Sequence, residues 1–536
     1  MIDLLADTRS RKREGLLLLT AAAALQAIAW VVILEIFTSL LKWGYDPKLI
    51  SPDVAHYADV GTRVLGHQWP YADFPFEYPP LSILLFIIAP VHGTLATYHH
   101  WFAVEMVVIG AITAVVTGAA AARIWTGLER PLAAVTALAV AVVAMGAIAI
   151  QVFDGAVALV LALAVLFLAH RRWTLAGLVI GLGFSLKLMP IVLLPLVLIM
   201  AHTHRKALWA LLAGVVGAVG PFLPFLVHNA AAVRSALFGP QLARGLQIES
   251  VAAAPYLVAQ VIHRGAVTVT VPPGGSLTIN GSGTGLVETL APVTVLLLLI
   301  VVYWAAWRSR EALRRRPEAV PVVALAAVLA ALCGNKVLSP QHLLWILPLV
   351  ALSLVGRAAL PRIGAVLLMA AMVLTQVEFP AMYFRQIRLE ATPLLVICAR
   401  NVLLAAAFVV TVVAVWRLRR EDESLLRHRR TLWPTRIAST DSVRRRSNAR
   451  PKLFPRSDPA SNRHLGAAGR HAPTLCWGVR RGAPGHTERH FASRWRLLPE
   501  GTTVPAGSAD RTPAWREEDS AWNHPAPPPP RCPSRV

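Results

Sequence analysis

The residues able to do chemistry fall in a few stretches of this chain. Ser51-Pro52-Asp53 reads as a helix start, with Ser51 as N-cap, Pro52 in the first turn and Gly66 as the stop. On that helix Asp53, His56 and Tyr57 fall at i, i+3 and i+4 and share one face. A helix N-terminus favours an ionised carboxylate, so Asp53 is expected as a hydrogen-bond acceptor or a base. The competing reading is that it only caps the helix. Glu77 stands just before Pro79-Pro80, which direct the chain into an apolar segment and hold the carboxylate at its edge. Asp154, Lys187, Arg244, Glu249, Lys336, His342, Glu378 and Arg388 are the other ionisable residues in or beside apolar runs. Charges there are costly and mark function by default.

The elements that position them are membrane helices. Of the 536 residues 56% are hydrophobic and only 15% charged, with mean hydropathy +0.56, outside the soluble range of about a quarter charged. The fold class is therefore all-α and polytopic. The net charge of +23 is uneven: the segment from Arg417 holds 24 Lys and Arg against 11 Asp and Glu. Cys333, Cys398, Cys476 and Cys532 give no disulfide framework.

Placing basic clusters inside orders the apolar runs into about twelve spans. The expected spans are 15–41, 100–122, 131–151, 155–169, 175–188, 190–201, 207–227, 286–307, 319–333, 343–355, 364–377 and 393–416. Residues 1–14 are then a cytoplasmic N-terminus and 15–416 the membrane domain. Outer loops bearing short helices run over 42–80, with Asp46 and Asp59, and over 228–285, with a Gly/Pro/Ser-rich flexible tip from Pro272 to Gly285. Leu81–Val91, at roughly 1.5 Å per residue, is too short to cross a core of about 30 Å and reads as a re-entrant or interfacial helix. The Pro- and Arg-rich stretch 417–536 is expected to be a disordered cytoplasmic tail. Both termini are expected on the cytoplasmic side of a plasma membrane. The candidate ionisable residues all fall at outer ends or in outer loops, whereas a transporter more often places charges near the midplane.

Asp53-x-x-x-Tyr57, Trp69-Pro70-Tyr71-Ala72-Asp73-Phe74 and Phe76-Glu77-Tyr78-Pro79-Pro80-Leu81 together resemble the first outer loop of the GT-C glycosyltransferases. The likeness is to family 87 in particular, the polyprenyl-phosphate-mannose-dependent mannosyltransferases. Phe153-Asp154, the run Gly181 to Pro190, Arg244 to Ser250, Lys336 to Pro348, Thr375 to Pro380 and Arg400-Asn401 match in order, and the resemblance spans roughly Gly15 to Arg420. His342 stands where the family more often has tyrosine, and Met189 where an aromatic is common.

The resemblance implies transfer of a sugar, with inversion, from a polyprenyl-phosphate donor to a lipid-linked glycan acceptor at the outer face. Asp53 resembles the family's base, and Glu77 is expected to orient the acceptor or support Asp53. Lys187, Lys336, Arg244 and Arg388 are the candidates for the donor phosphate, since cations must stabilise the leaving group. For Lys187 a structural bridge to Asp154 is an equal alternative; for Arg244 and Glu249 a pair with each other is the alternative, and acceptor or phosphate contact is slightly preferred. His56, Tyr57, Tyr71, Asp154, Glu249 and His342 are the candidate substrate contacts. Trp69 and Tyr71 could stack on a sugar or anchor at the interface. No metal, soluble cofactor or nucleic acid is expected; the partners are the two lipid-linked substrates and the bilayer. An arabinofuranosyl or other lipid-linked-sugar transferase and a lipid or sugar flippase are the alternatives.

Overall fold

The computed structural model describes residues 2–42, 52–270 and 276–432, with side chains for 14–35, 53–270 and 276–424. Ser51, Asp46, the first part of the expected tip at 271–275, and residues 433–536 with Cys476 and Cys532 lie outside the described residues. Among the described residues eight helices are long and apolar enough to cross a membrane, against the twelve or so spans expected: Glu14–Glu35, Leu95–Ile124, Glu129–Ile150, His204–Ala243, Thr284–Arg308, Pro317–Gly334, Ala359–Glu378 and Ala391–Ser424. The other four expected spans are shorter apolar helices, Asp154–Ala169, Trp173–Leu186, Met189–Met200 and Pro340–Leu354. Proline keeps two of these short: Pro190, Pro340 and Pro348 each stand where a brief 3-10 turn or a new α-helix begins. The interfacial segment forms a 3-10 turn, Pro80–Ser82, and a six-residue helix, Ile83–Ile88.

Two boundaries differ from expectation. The helical path runs past His228 to Ala243, with a break at Asn229, whose φ is −157° and ψ 86°. The Asn229 side chain accepts the Ala232 N–H at 3.0 Å, so it caps a second helical segment within 228–285. At the other boundary the last helix, Ala391–Leu432, continues beyond Trp416 into the expected tail. Arg315 pairs with Asp422, Arg316 Nη1 lies 3.3 Å from Glu421, and Arg419 Nε lies 2.8 Å from Glu423 one turn on. The helical stretch Val251–Ile262 and an antiparallel hairpin, Val267–Thr270 with Thr278–Gly281, make the second loop largely ordered backbone. The later part of the expected tip is thus strand and helix start rather than loop.

Close packing follows from small residues. The helix Trp173–Leu186 lies so tightly against His204–Val219 that a Cβ on Gly177 would overlap Ala210 O, and one on Gly181 would overlap Gly214 O. Such small-residue contacts draw membrane helices together where no hydrophobic drive exists between them. Ser185 Oγ donates across the same seam to Gly217 O and Ala218 O, at 3.0 and 2.8 Å. The helix Val320–Gly334, apolar on every face, is buried almost throughout and forms the centre of the bundle.

Charge divides between the ends of the helices. At one end Arg314 donates to Ile199 O and Ala201 O at 2.9 Å each, and Arg171 donates to Arg314 O at 3.4 Å. The residues with the chemistry of a site collect at the other end.

Candidate active site

Asp53 occupies the first turn of the helix Pro52–Leu65. Tyr57, one turn on, is buried; it stacks on Phe86 at 4.4 Å and 7° and meets Phe153 edge-on at 5.6 Å. Tyr78 joins the same cluster, 5.2 Å from Phe153 at 88°. Burial pushes the Tyr57 and Tyr78 hydroxyls well up, so both are neutral donors. This aromatic anchor fixes the helix, and with it Asp53. His56 is half-buried, 6.1 Å from the Tyr78 ring, and its Nε2 is buried without a hydrogen-bond partner among the described residues.

Asp154 opens the helix Asp154–Ala169 and is buried. Its Oδ1 accepts from Lys187 Nζ at 2.7 Å and from the Trp345 indole N–H at 2.5 Å. Lys187 reaches it because the helix Trp173–Leu186 stops there: the Lys187 backbone is extended, φ −157° and ψ 129°, before Met189 and Pro190 begin the next turn. The ammonium also lies 4.8 Å from the Phe153 ring and 5.4 Å from the Trp345 ring, a cation–π setting that further offsets its partial desolvation. His342 stacks on Trp345 at 4.3 Å, and its Nδ1 accepts the Ser339 N–H at 3.2 Å.

Glu77 pairs with Arg244, Oε2 to Nη2 2.9 Å, each roughly a quarter exposed. The alternative pair of Arg244 with Glu249 does not form. Glu249 is buried and accepts from Gln386 Nε2 at 3.0 Å. The cause is a clamp on the loop: Arg400 donates to Glu249 O, Asn401 Nδ2 donates to Ser250 O at 2.9 Å, and the Gln247 N–H donates to Lys336 O at 3.0 Å. Arg400 itself is fully buried in an ion pair with Glu378, 2.8 Å. With the loop turned inward from Gln247 on, Arg244 at the end of its helix is left to meet Glu77.

Tyr71, at φ 72°, donates its hydroxyl to Tyr78 O at 2.6 Å and so holds the backbone next to Glu77. Lys336 Nζ lies 3.4 Å from Leu242 O, close to Arg244 in the chain. Arg388 sits on an exposed turn, 2.8 Å from Glu390, which also accepts from Arg385 at 2.6 Å. Trp69 is 41% exposed, with one ring face stacked on His228 at 4.5 Å. Trp345 and Tyr78 are site residues that the sequence does not single out. For Trp345 a signal exists, since an indole N–H in an apolar run needs an acceptor when buried.

The electrostatics centre on Asp53. Two ion pairs, Lys187–Asp154 and Glu77–Arg244, lie near a third carboxylate that has no ion-pair partner among the described residues. Burial raises Asp53 to about 6; Asp154 and Glu77 add to the rise, and Lys187 opposes it. The helix N-terminus favours the ionised form, and desolvation works against it. Such a group changes protonation near neutral pH, as a general base does.

Residues 76–340 match the model of glycosyltransferase family 87. No curated protein matches the sequence. Among solved structures, the chain is similar to ArnT from Cupriavidus metallidurans bound to undecaprenyl phosphate, at 17% identity and TM-score 0.39, over 74% of this chain and 77% of that one. It is also similar to the apo state of the same protein, at 15% identity and TM-score 0.36, over 73% and 78%. The family match takes in Glu77, Asp154, Lys187, Arg244 and Lys336 but begins after Asp53; over that stretch the chain is similar to glycosyltransferase family 87.

Proposed function

We propose that the protein transfers a sugar, with mannose the leading choice, from a polyprenyl-phosphate donor to a hydroxyl of a lipid-linked glycan at the outer face of the plasma membrane. The observation that carries this reading is Asp53, without an ion-pair partner among the described residues, near two cation–carboxylate pairs and with its proton affinity raised to about 6. In the reaction the acceptor oxygen forms a bond to the anomeric carbon while the bond from that carbon to the phosphate oxygen breaks. The hydroxyl proton passes to Asp53 Oδ, and the electron pair of the broken bond leaves with the phosphate. Attack from the face opposite the leaving group inverts the anomeric centre.

Lys187 and Arg244 are the cations to meet the phosphate, with Lys336 as a third. The first two are already oriented by a carboxylate each, so the donor would meet fixed charges with little reorganisation. Glu77 and Asp154 are then positioning residues. With the positive-inside arrangement, this end of the bundle lies outside and both termini inside.

The test is a transfer assay with labelled polyprenyl-phosphate-mannose and membranes containing the protein. Labelled mannose appearing in a lipid-linked glycan is the expected result. Failure with mannose, together with transfer from polyprenyl-phosphate-arabinofuranose, would replace the sugar. Equilibration of labelled lipid across vesicles without transfer would replace the reaction class.

A further inference from the structure

We propose that an anionic phospholipid binds a groove at the end of the bundle opposite Lys187 and Asp154. The groove is a cavity of about 440 Å³ beside the helices Ile2–Lys42 and Leu95–Ile124. Its walls are apolar and mostly small: Leu18, Val115, Ala119 and Ala122, with Arg123 and His170 as its cationic or titratable members. Val115, Ala119 and Ala122 fall at i, i+4 and i+7, so they make one continuous trough along a helix face, and that trough leads to Arg123 in the last turn.

The chemistry of a phospholipid fits both halves of this site. An acyl chain fills an apolar trough, and a phosphodiester takes the guanidinium as a planar, charge-assisted donor. Among the described residues no carboxylate pairs with Arg123, whereas other arginines at this end are committed: Arg314 to Ile199 O and Ala201 O, and Arg315 and Arg316 to Asp422 and Glu421. His170 has its Nδ1 2.9 Å from Leu166 O, which leaves Nε2 for a ligand. A helix C-terminus alone favours a cation such as Arg123. It does not explain an apolar groove running up to that cation, and basic pockets between membrane helices are where acidic head groups bind.

The experiment is native mass spectrometry of the full chain in detergent, offered equal amounts of phosphatidylglycerol and phosphatidylcholine. The full chain should retain phosphatidylglycerol preferentially, and R123Q/H170Q should retain about fivefold less of it. A119L, which narrows the trough and keeps both charges, should also lower retention. R310Q, a charge change at the same end but outside the groove, should not. Lack of preference for phosphatidylglycerol, undiminished retention in either R123Q/H170Q or A119L, or equal loss in R310Q would overturn the proposal. So would displacement of the lipid by inorganic phosphate, which would mark a plain anion site. None of these readouts involves sugar transfer, so the outcome is independent of the proposed reaction.

Discussion

Lys187 Nζ stands 2.7 Å from Asp154 Oδ1, and the same oxygen accepts the Trp345 indole N–H. The ammonium offered to a phosphate is thus tethered by a carboxylate that is itself fixed. Removing one partner of a buried pair leaves an uncompensated charge and costs about 3–5 kcal/mol. K187M should therefore lower the thermal midpoint of the solubilised protein and slow transfer. K187R should recover most of the stability but less of the rate, since a planar fork replaces a compact charge. Equal stability of K187M and the unaltered chain, by a thermal melt, would show that the pair is not holding the site.

Asp53→Asn keeps the size of the side chain and removes the base. Transfer should fall by about 10²- to 10⁴-fold while insertion and accumulation stay normal. Asp59→Asn, on the exposed side of the same helix and paired with Arg63 at 2.8 Å, is the control and should change the rate little. If Glu77→Gln abolished turnover and the D53N variant kept it, the base would be Glu77.

The pH dependence follows from the raised Asp53. The base form is needed for transfer, so the rate should rise with pH through about 6 and level off above it. The stability effect has the opposite direction. A carboxylate whose folded-state affinity for the proton is raised adds stability that is present below its unfolded value, about 4, and is lost as pH rises through about 6. At pH 7 the D53N variant should melt no lower than the unaltered chain, and any gain should shrink as pH falls from about 6 towards about 4. A lower melt at pH 7 would contradict the burial of this charge.

Gly181→Val places side-chain atoms in space that Gly214 O already occupies, so the two helices must part. Because the helix carrying Gly181 ends at Lys187, the expected result is both poor accumulation and loss of transfer. Leu182→Ala, one residue on and only partly buried, is the comparison and should be milder. Comparable levels of both proteins in the membrane fraction would rule out the close seam.

Truncation separates the helical extension from the remaining C-terminal residues. Ending the chain after Leu432 should leave transfer near that of the full chain. Ending it after Arg420 removes Glu421 and Asp422, takes the ion-pair partner of Arg315 and leaves Arg316 with Glu318 alone, so accumulation should fall. Identical behaviour of the two truncations, by quantitative blot and transfer assay, would make the extension dispensable.

Membrane class and nearly every helix position can be read from the chain directly, because both follow from local quantities: runs of apolar residues, basic clusters at their ends, and Pro and Gly at their breaks. The Pro52–Leu65 helix, the short segment after Pro80 and the stop near Lys187 are legible for the same reason. The cap at Asn229 and the continuation past Trp416 are not, because a side-chain hydrogen bond and ion pairs to a distant loop set them. Partner choice belongs to the packed bundle. Asp154 meets Trp345 across 191 residues, and Arg244 meets Glu77 across 167 rather than the neighbouring Glu249, because buried Arg400 turns that loop inward. The proton affinity of Asp53 lies at the same level: its helix position favours the ionised form, and desolvation within the packed bundle, which no local pattern encodes, raises it to about 6.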